Sequence, residues 1–77
     1  MFAAPPAVTA EVFATIPEKY RTRGRRSDWV DVQFAGQEIT CFLEGPCFDA
    51  AGNLWVVDIP WGRLFRITPA GDVSLEV

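Results

Sequence analysis

The chain has 77 residues and a formal net charge of −3, and 49% of its residues are hydrophobic and 13% aromatic. This length suits one small domain, which buries only about 60% of the surface that its unfolded chain exposes. The mildly acidic composition is that of a globular domain, and it gives no indication of binding to nucleic acid or to an anionic membrane.

Residues 1–38 are predicted to form an irregular N-terminal extension. Residues 10–16 fit either a short helical face or a strand, because Val12 and Ile16 belong to both apolar patterns. In the second case they would form a closing strand for the sheet architecture described below. Pro17 ends the element either way, and residues 18–38 are predicted to be a long loop because Gly24, Gly36 and clustered charges interrupt the apolar pattern.

A basic run stands inside this loop, since five of the seven basic residues of the chain lie between Lys19 and Arg26. Such a run is typical of phosphate binding or of nuclear import. Tyr20 is its only aromatic residue, however, and the rest of the chain is acidic, so it lacks a stacking surface for bases. A solvated loop is the favoured interpretation, and we expect no nucleic-acid partner.

The two cysteines and the hydropathy pattern bear on the cellular compartment. Cys41 and Cys47 are separated by roughly 20 Å if the chain between them is extended, which is beyond the reach of a disulfide. We expect both to be reduced and buried. The sequence has no His, so these two thiols do not complete a zinc site of the usual Cys/His type. It also lacks a signal-peptide pattern and a membrane-length apolar run, which predicts a soluble cytoplasmic protein without a membrane partner.

Residues 39–77 are predicted to form an antiparallel meander of four strands. The strands are expected near residues 46–49, 54–59, 63–68 and 73–77. The segments between them are Ala50-Ala51-Gly52-Asn53, Pro60-Trp61-Gly62 and Pro69-Ala70-Gly71-Asp72. Their Gly, Pro, Asn and Asp residues favour tight reversals, so the four strands are expected to follow one another through the sheet.

The apolar pattern changes across these strands. Leu54-Trp55-Val56-Val57 is apolar on both faces, whereas residues 72–77 alternate strictly between polar and apolar. A β-propeller blade has this gradient, because neighbouring blades cover its inner strands while its outermost strand meets solvent. The length of residues 39–77 also matches the ~40 residues of one blade. The predicted fold class is therefore all-β, a single four-stranded antiparallel blade.

Glu44 is the residue on which a functional hypothesis depends, because it stands between apolar neighbours directly before Gly45-Pro46. An ionised carboxylate that is buried without compensation costs several kcal/mol. Glu44 is therefore expected to pair with a cation, to bind a metal or to turn out to water. The residues alone leave these options open.

Short motifs follow one another at fixed spacing through the predicted sheet. They are Glu44-Gly45-Pro46, Phe48-Asp49, Gly52-Asn53-Leu54, Val56-Val57-Asp58-Ile59 and Gly62-Arg63-Leu64-Phe65-Arg66-Ile67-Thr68-Pro69-Ala70-Gly71. In this order they resemble the first blade of the family of gluconolactonase, senescence marker protein and luciferin-regenerating enzyme. The resemblance covers residues 42–71, and residues 12–29 are similar to an N-terminal extension of some bacterial and fungal members.

The resemblance implies a six-bladed β-propeller that hydrolyses lactones or related esters with one divalent metal ion, calcium or zinc, in its central channel. It implies that Glu44 is a metal ligand and that an Asn and an Asp of later blades complete the site. The metal would polarise the lactone carbonyl and lower the pKa of a bound water, with a carboxylate of another blade as general base. No residue of this chain is expected to be catalytic, and the substrate-binding residues stay undetermined.

The other conspicuous side chains have structural interpretations. Asp58 and Asp49 stand beside reversals, where acids commonly bind loop N–H groups. Trp55 is assigned to core packing and Trp61 to loop packing, although tryptophans in such loops also line substrate sites.

A single blade leaves both faces of its sheet bare, and repeat architectures usually need at least three units. We therefore expect these residues to be the N-terminal part of a longer lactone hydrolase, inactive alone, whose partners are the remaining blades and a small lactone or ester. Two alternatives remain. The propeller is a non-catalytic binding scaffold, or single blades assemble into a ring, which the long extension disfavours.

Overall fold

The computed structural model describes residues 3–77, and its strands lie in the C-terminal half of the chain. They are β1 (Leu43–Phe48), β2 (Leu54–Asp58), β3 (Arg63–Ile67) and β4 (Val73–Leu75). They form one sheet in the order β1-β2-β3-β4, and each strand pairs antiparallel with the next. The predicted four-stranded antiparallel meander is confirmed, with strand ends within a few residues of the predicted ones.

The reversals fall where the sequence predicts them. Between β2 and β3, a 3-10 turn (Ile59–Trp61) leads into Gly62, whose φ of 63° is left-handed. Between β3 and β4, the N–H of Thr68 donates to the C=O of Asp72 at 2.9 Å. Gly accepts a left-handed φ without the steric penalty of a Cβ atom, so these segments stop each strand and turn the chain back.

The register of the strands divides the side chains between two faces of the sheet, because cross-strand partners share a face. One face, here called the covered face, carries Leu54, Val56, Asp58, Arg63, Phe65 and Ile67. The opposite face, here called the open face, carries Glu44, Cys47, Trp55, Val57, Leu64 and Arg66. The two faces differ in burial, since Phe65 on the covered face is completely buried whereas Val57 on the open face is 39% exposed.

The N-terminal extension packs on the covered face and forms the core together with it. Ile16 is buried in one cluster with Val56, Phe65 and Ile67. The ring of Tyr20 lies 5.6 Å from that of Phe65, centroid to centroid. The expectation that both faces of this blade lack cover is therefore wrong for one of them, because the chain's own extension fills it.

The N-terminal extension contains a short helix and a 3-10 turn but no strand among its described residues. Residues 10–16 form neither helix nor strand, so a closing strand there stays a prediction about blades outside these residues. The long loop predicted for residues 18–38 contains a 3-10 turn (Glu18–Tyr20) and a helix, α1 (Asp28–Gln33). Asp28 and Asp31 in the first turn favour this helix, because acidic side chains stabilise a helix N-terminus.

Aromatic contacts hold α1 against the start of β1. The rings of Trp29, Phe34 and Phe42 lie 5.4–5.6 Å apart in tilted pairs, and Val30 is buried. A helix of this length has little stability of its own in water and depends on such tertiary contacts. The sequence did not predict α1, because its apolar residues are too few to establish a helical period.

Arg21 ties the basic run to distant parts of the chain, whereas Lys19, Arg23, Arg25 and Arg26 are exposed. Arg21 donates to the C=O of Ile16 at 3.0 Å and to Oγ1 of Thr40 at 3.0 Å. The other members have partners as well, namely Lys19 with Tyr20, Arg23 with Glu18, Arg25 with Trp61 and Arg26 with Asp31. The solvated loop expected for this run is therefore found for all of its basic residues except Arg21, which is partly buried.

Both thiols within the described residues are free, as expected, but their surroundings differ. Cys41 is partly buried, and its Sγ lies 3.9 Å from Nη1 of Arg21. Cys47 is exposed, so the expectation of two buried thiols is wrong for this one. It lies on β1, where the open face meets the edge of the described sheet.

Candidate metal-binding site

Glu44 lies on the edge strand β1, opposite Val57 and therefore on the open face. Glu44 is an exposed residue, and it takes part in none of the ion pairs within residues 3–77. Of the options left by the sequence, an internal ion pair is thus not the one adopted in the described part of the chain. The carboxylate points to solvent and is available to a ligand.

A β-bulge directly after Glu44 determines which way its side chain points. The register passes from Glu44 opposite Val57 to Cys47 opposite Trp55, so two residues of β1 face one of β2. Residues three apart in a regular strand lie on opposite faces, and the extra residue brings Glu44 and Cys47 to the same one. The Gly-Pro pair of the motif is the bulge.

Gly45 is required by the backbone of this bulge. Its φ is 63°, in the left-handed region that residues with a Cβ atom rarely adopt. A Cβ atom placed there would lie 3.6 Å from Cγ2 of Val57, which is an ordinary contact, so the requirement comes from φ and not from crowding. Pro46 has no N–H to leave unpaired on the edge strand.

Asp58 anchors the segment that leads into Glu44. It is completely buried, and its Oδ1 accepts the N–H of Phe42 at 2.8 Å. Its Oδ2 accepts Nε of Arg63 at 2.8 Å, and Nη2 of Arg63 lies 2.7 Å from the same oxygen. The structural role expected for Asp58 is thus supported, but it binds the start of β1 and an arginine, not the N–H groups of the following loop.

Arg63 extends this contact to the N-terminal extension. Its Nη1 donates to the backbone C=O of Tyr20, and its guanidinium lies 5.0 Å from the centroid of the Phe65 ring. The sequence analysis did not assign this residue a role. The hairpin register contains the signal, because the predicted reversal at Pro60-Trp61-Gly62 brings Asp58 directly opposite Arg63.

Asp49 closes the other end of the β1–β2 hairpin. Its carboxylate accepts the backbone N–H groups of Ala51 and Asn53 at 2.9 Å each, Nδ2 of Asn53 at 3.0 Å and Nε1 of Trp55 at 2.9 Å. The Trp55 hydrogen bond, followed by those of Asn53, lowers the pKa of Asp49 from 3.8 to about 2. The turn interpretation of Asp49 is therefore supported.

The two tryptophans considered above for a substrate site, Trp55 and Trp61, have structural contacts. Trp55 is held by Asp49, and the guanidinium of Arg66 lies 5.9 Å from its ring centroid. Trp61 donates Nε1 to the C=O of Thr40 at 3.2 Å, and Arg25 lies 5.3 Å from its ring. Trp55 lies on the open face and is only partly buried, so the core position expected for it is only partly attained.

The donor chemistry of Glu44 fits one coordination position of a divalent cation, because both Ca²⁺ and Zn²⁺ accept carboxylate oxygens. Within residues 3–77, no three His, Cys, Asp or Glu side chains are grouped as metal ligands. One carboxylate does not hold either ion, so further donors have to come from outside these residues. In such a site Glu44 would supply one ligand, and its charge and direction alone would not form a complete cage.

A cavity of about 280 Å³ lies away from Glu44, between α1 and the basic run. Its lining includes Arg25, Arg26, Asp31 and Glu38, and the ion pair between Arg26 and Asp31 takes up part of that charge. Among the helices of residues 3–77, none has the length and apolar character needed to cross a bilayer. Comparisons of the chain with protein-family models, with curated proteins and with solved structures give no match.

Proposed function

We propose that the chain is the first blade, with its N-terminal extension, of a six-bladed β-propeller that hydrolyses lactones or related esters with a divalent metal ion. The observation that carries the proposal is the placement of Glu44. An exposed carboxylate stands on the edge strand of a four-stranded meander, directed by a Gly-Pro bulge onto the open face. Its motif and those that follow resemble the first blade of the gluconolactonase-like family.

The order of the strands agrees with this role. In a propeller blade the strands run outward from the central channel, so the first strand of a meander lies nearest the axis. β1 is the first strand and lies at one edge of the described sheet, and Glu44 stands near its beginning. A carboxylate at that position is available to a cation in the channel, together with donors from other blades.

The open face supports the same proposal. Val57 and Cys47 are exposed on it, and Trp55 and Leu64 are only partly buried. A neighbouring blade would remove this apolar surface from water, which stabilises by about 25 cal/mol per Å². We expect the next blade of the complete protein to pack on this face.

When bound, the metal ion, calcium or zinc, supplies Lewis acidity toward the lactone carbonyl and activates a water molecule. Glu44 holds the ion by a carboxylate oxygen. The bulge at Gly45-Pro46 directs this side chain, and the hairpin of β1 and β2 carries it on a hydrogen-bonded strand. The general base and the remaining ligands belong to blades outside these residues.

The test is lactone hydrolysis by the complete protein and its Glu44→Gln variant, measured as acid release from an aldonolactone at constant pH. We expect the variant to lose hydrolysis and to bind Ca²⁺ or Zn²⁺ more weakly. Glu11→Gln is the matched control, because Glu11 is also exposed but lies outside the sheet. Undiminished turnover of the Glu44 variant would contradict the proposal. A wild-type protein that neither turns over lactones nor binds a metal would indicate the non-catalytic scaffold instead.

A further inference from the structure

We propose that the buried pair of Asp58 and Arg63 positions Glu44 for metal binding by fixing the start of β1. This inference rests on the function proposed above. Asp58 is 0% exposed and accepts the N–H of Phe42, two residues before Glu44, with one oxygen while the other oxygen contacts Arg63. Asp58 and Arg63 are thus positioning residues, since both lie on the covered face whereas Glu44 lies on the open face.

The start of β1 needs such a support because, apart from the aromatic contacts of Phe42 with Trp29 and Phe34, few interactions hold it. All six residues of β1 are exposed, and it is an edge strand of the described sheet. The bulge interrupts its register after Glu44, so the segment before the bulge is paired at two positions, Leu43 with Asp58 and Glu44 with Val57. One more backbone bond, from the N–H of Ile59 to the C=O of Phe42 at 3.2 Å, completes the attachment.

Arg63 fixes the direction in which the Asp58 carboxylate points. The two residues are opposite each other in the β2–β3 register, and their side chains are only 15% and 0% exposed. Because the guanidinium holds Oδ2 and also donates to the C=O of Tyr20, the carboxylate is not free to rotate away from Phe42. Hydrogen bonds to the groups that carry a metal ligand commonly tune metal affinity in this way.

The experiment separates the hydrogen bond to Phe42 from the ion pair. Both test variants carry Arg63→Met, which removes the buried cation and keeps an apolar side chain beside Phe65. Asp58→Asn on this background retains an oxygen that accepts the N–H of Phe42, whereas Asp58→Leu has none. Asp58→Val with Arg63→Met is the reserve variant if the Leu variant does not fold, because a β-branched residue suits a strand and also lacks an acceptor.

The first readout is the affinity of the complete protein for Ca²⁺ and for Zn²⁺, measured by titration calorimetry. We expect the Asn variant to bind more weakly than the wild type, because it keeps the bond to Phe42 but lacks the orienting guanidinium of Arg63. The Leu variant lacks both and is expected to bind about 10- to 100-fold more weakly than the wild type. Asp49→Asn is the control, since Asp49 closes the opposite end of the β1–β2 hairpin and its loss disturbs the turn without touching Phe42. Equal weakening in the Asp49 and Leu variants would overturn the inference, because general destabilisation would then explain both.

The second readout does not need metal. Amide hydrogen exchange over residues 42–44 is expected to accelerate strongly in the Leu variant and less in the Asn variant, with residues 65–67 of β3 unchanged in both. An unchanged exchange rate in the Leu variant would refute the support of β1 by Asp58, independently of the measured metal affinities. Faster exchange with unaltered affinity would refute the link to Glu44. A wild-type protein that binds neither ion would refute the proposed function and with it the metal role of the pair, while exchange still decides whether Asp58 fixes β1.

Discussion

Ile16 packs on the covered face of the sheet, the face on which a neighbouring blade of the proposed propeller would also pack. A blade inside a propeller has neighbours on both faces, but here the extension already occupies the covered face through Ile16. Replacing Ile16 by Ala in the complete protein decides whether this packing persists beside other blades. The side chain is only 5% exposed and contacts a cluster that contains the completely buried Phe65.

The size of the effect follows from the burial of Ile16. The substitution removes three carbon groups, each worth about 0.8 kcal/mol when taken from water, which amounts to about 2.4 kcal/mol. The cavity that remains adds to this, and measured Ile→Ala substitutions in cores cost about 2–5 kcal/mol. We expect the free energy of unfolding to fall by about 3 kcal/mol.

The assay is urea denaturation followed by tryptophan fluorescence, with Val12→Ala as the matched control. Val12 lies four residues earlier in the same extension but is 81% exposed, so its truncation should change stability by less than about 0.5 kcal/mol. If Ile16→Ala has as small an effect as Val12→Ala, the extension does not cover the sheet in the complete protein. A neighbouring blade would then be the cover of this face.

Three further predictions concern the β1–β2 hairpin. The pKa of Asp49 is lowered from 3.8 to about 2, so its contribution to stability is present above about pH 4 and is lost as the pH falls toward 2. In the Asp49→Asn variant the free energy of unfolding should therefore depend less on pH over that interval, and an unchanged pH dependence would contradict this. Gly45→Ala and Gly62→Ala should each destabilise the fold by about 1–2 kcal/mol, because both glycines have a φ of 63°. Only Gly45→Ala should weaken Ca²⁺ binding in calorimetry, and equal binding by both variants would count against a role of the bulge in directing the metal ligand. Because the next blade is expected to cover the open face, iodoacetamide should modify Cys47 no faster than Cys41 in the complete protein, as followed by peptide mass spectrometry; faster modification of Cys47 would count against a blade on that face.

The sheet was predictable because its information is local. The Gly, Pro, Asn and Asp residues between apolar runs require reversals at those places whatever else the chain does, and the strands fill the intervals. Turn positions also imply the register of β2 and β3, which brings Asp58 opposite Arg63. The first strand was predicted too short, beginning near residue 46 and not at Leu43, because the bulge at Gly45-Pro46 resembles a break in the sequence.

Other features depended on contacts between distant residues. α1 was missed because a six-residue helix is stabilised by its aromatic contacts with Phe42 and not by its own period. Cys47 was expected to be buried, yet β1 is exposed along its whole length. The basic run is mostly exposed, as expected, but the hydrogen bonds of Arg21 to Ile16 and Thr40 were not foreseen.

The amino-acid sequence by itself determined the four strands, their order and the Glu-Gly-Pro bend that carries Glu44, because turn chemistry and apolar alternation act over a few residues. The tertiary structure decided that the extension covers one face, that Glu44 points to solvent on the other, and that Asp58 joins Phe42 to Arg63. These outcomes depend on which distant surfaces bury each other and on which buried charge finds a partner. Both are properties of the packed chain and not of any short segment of it.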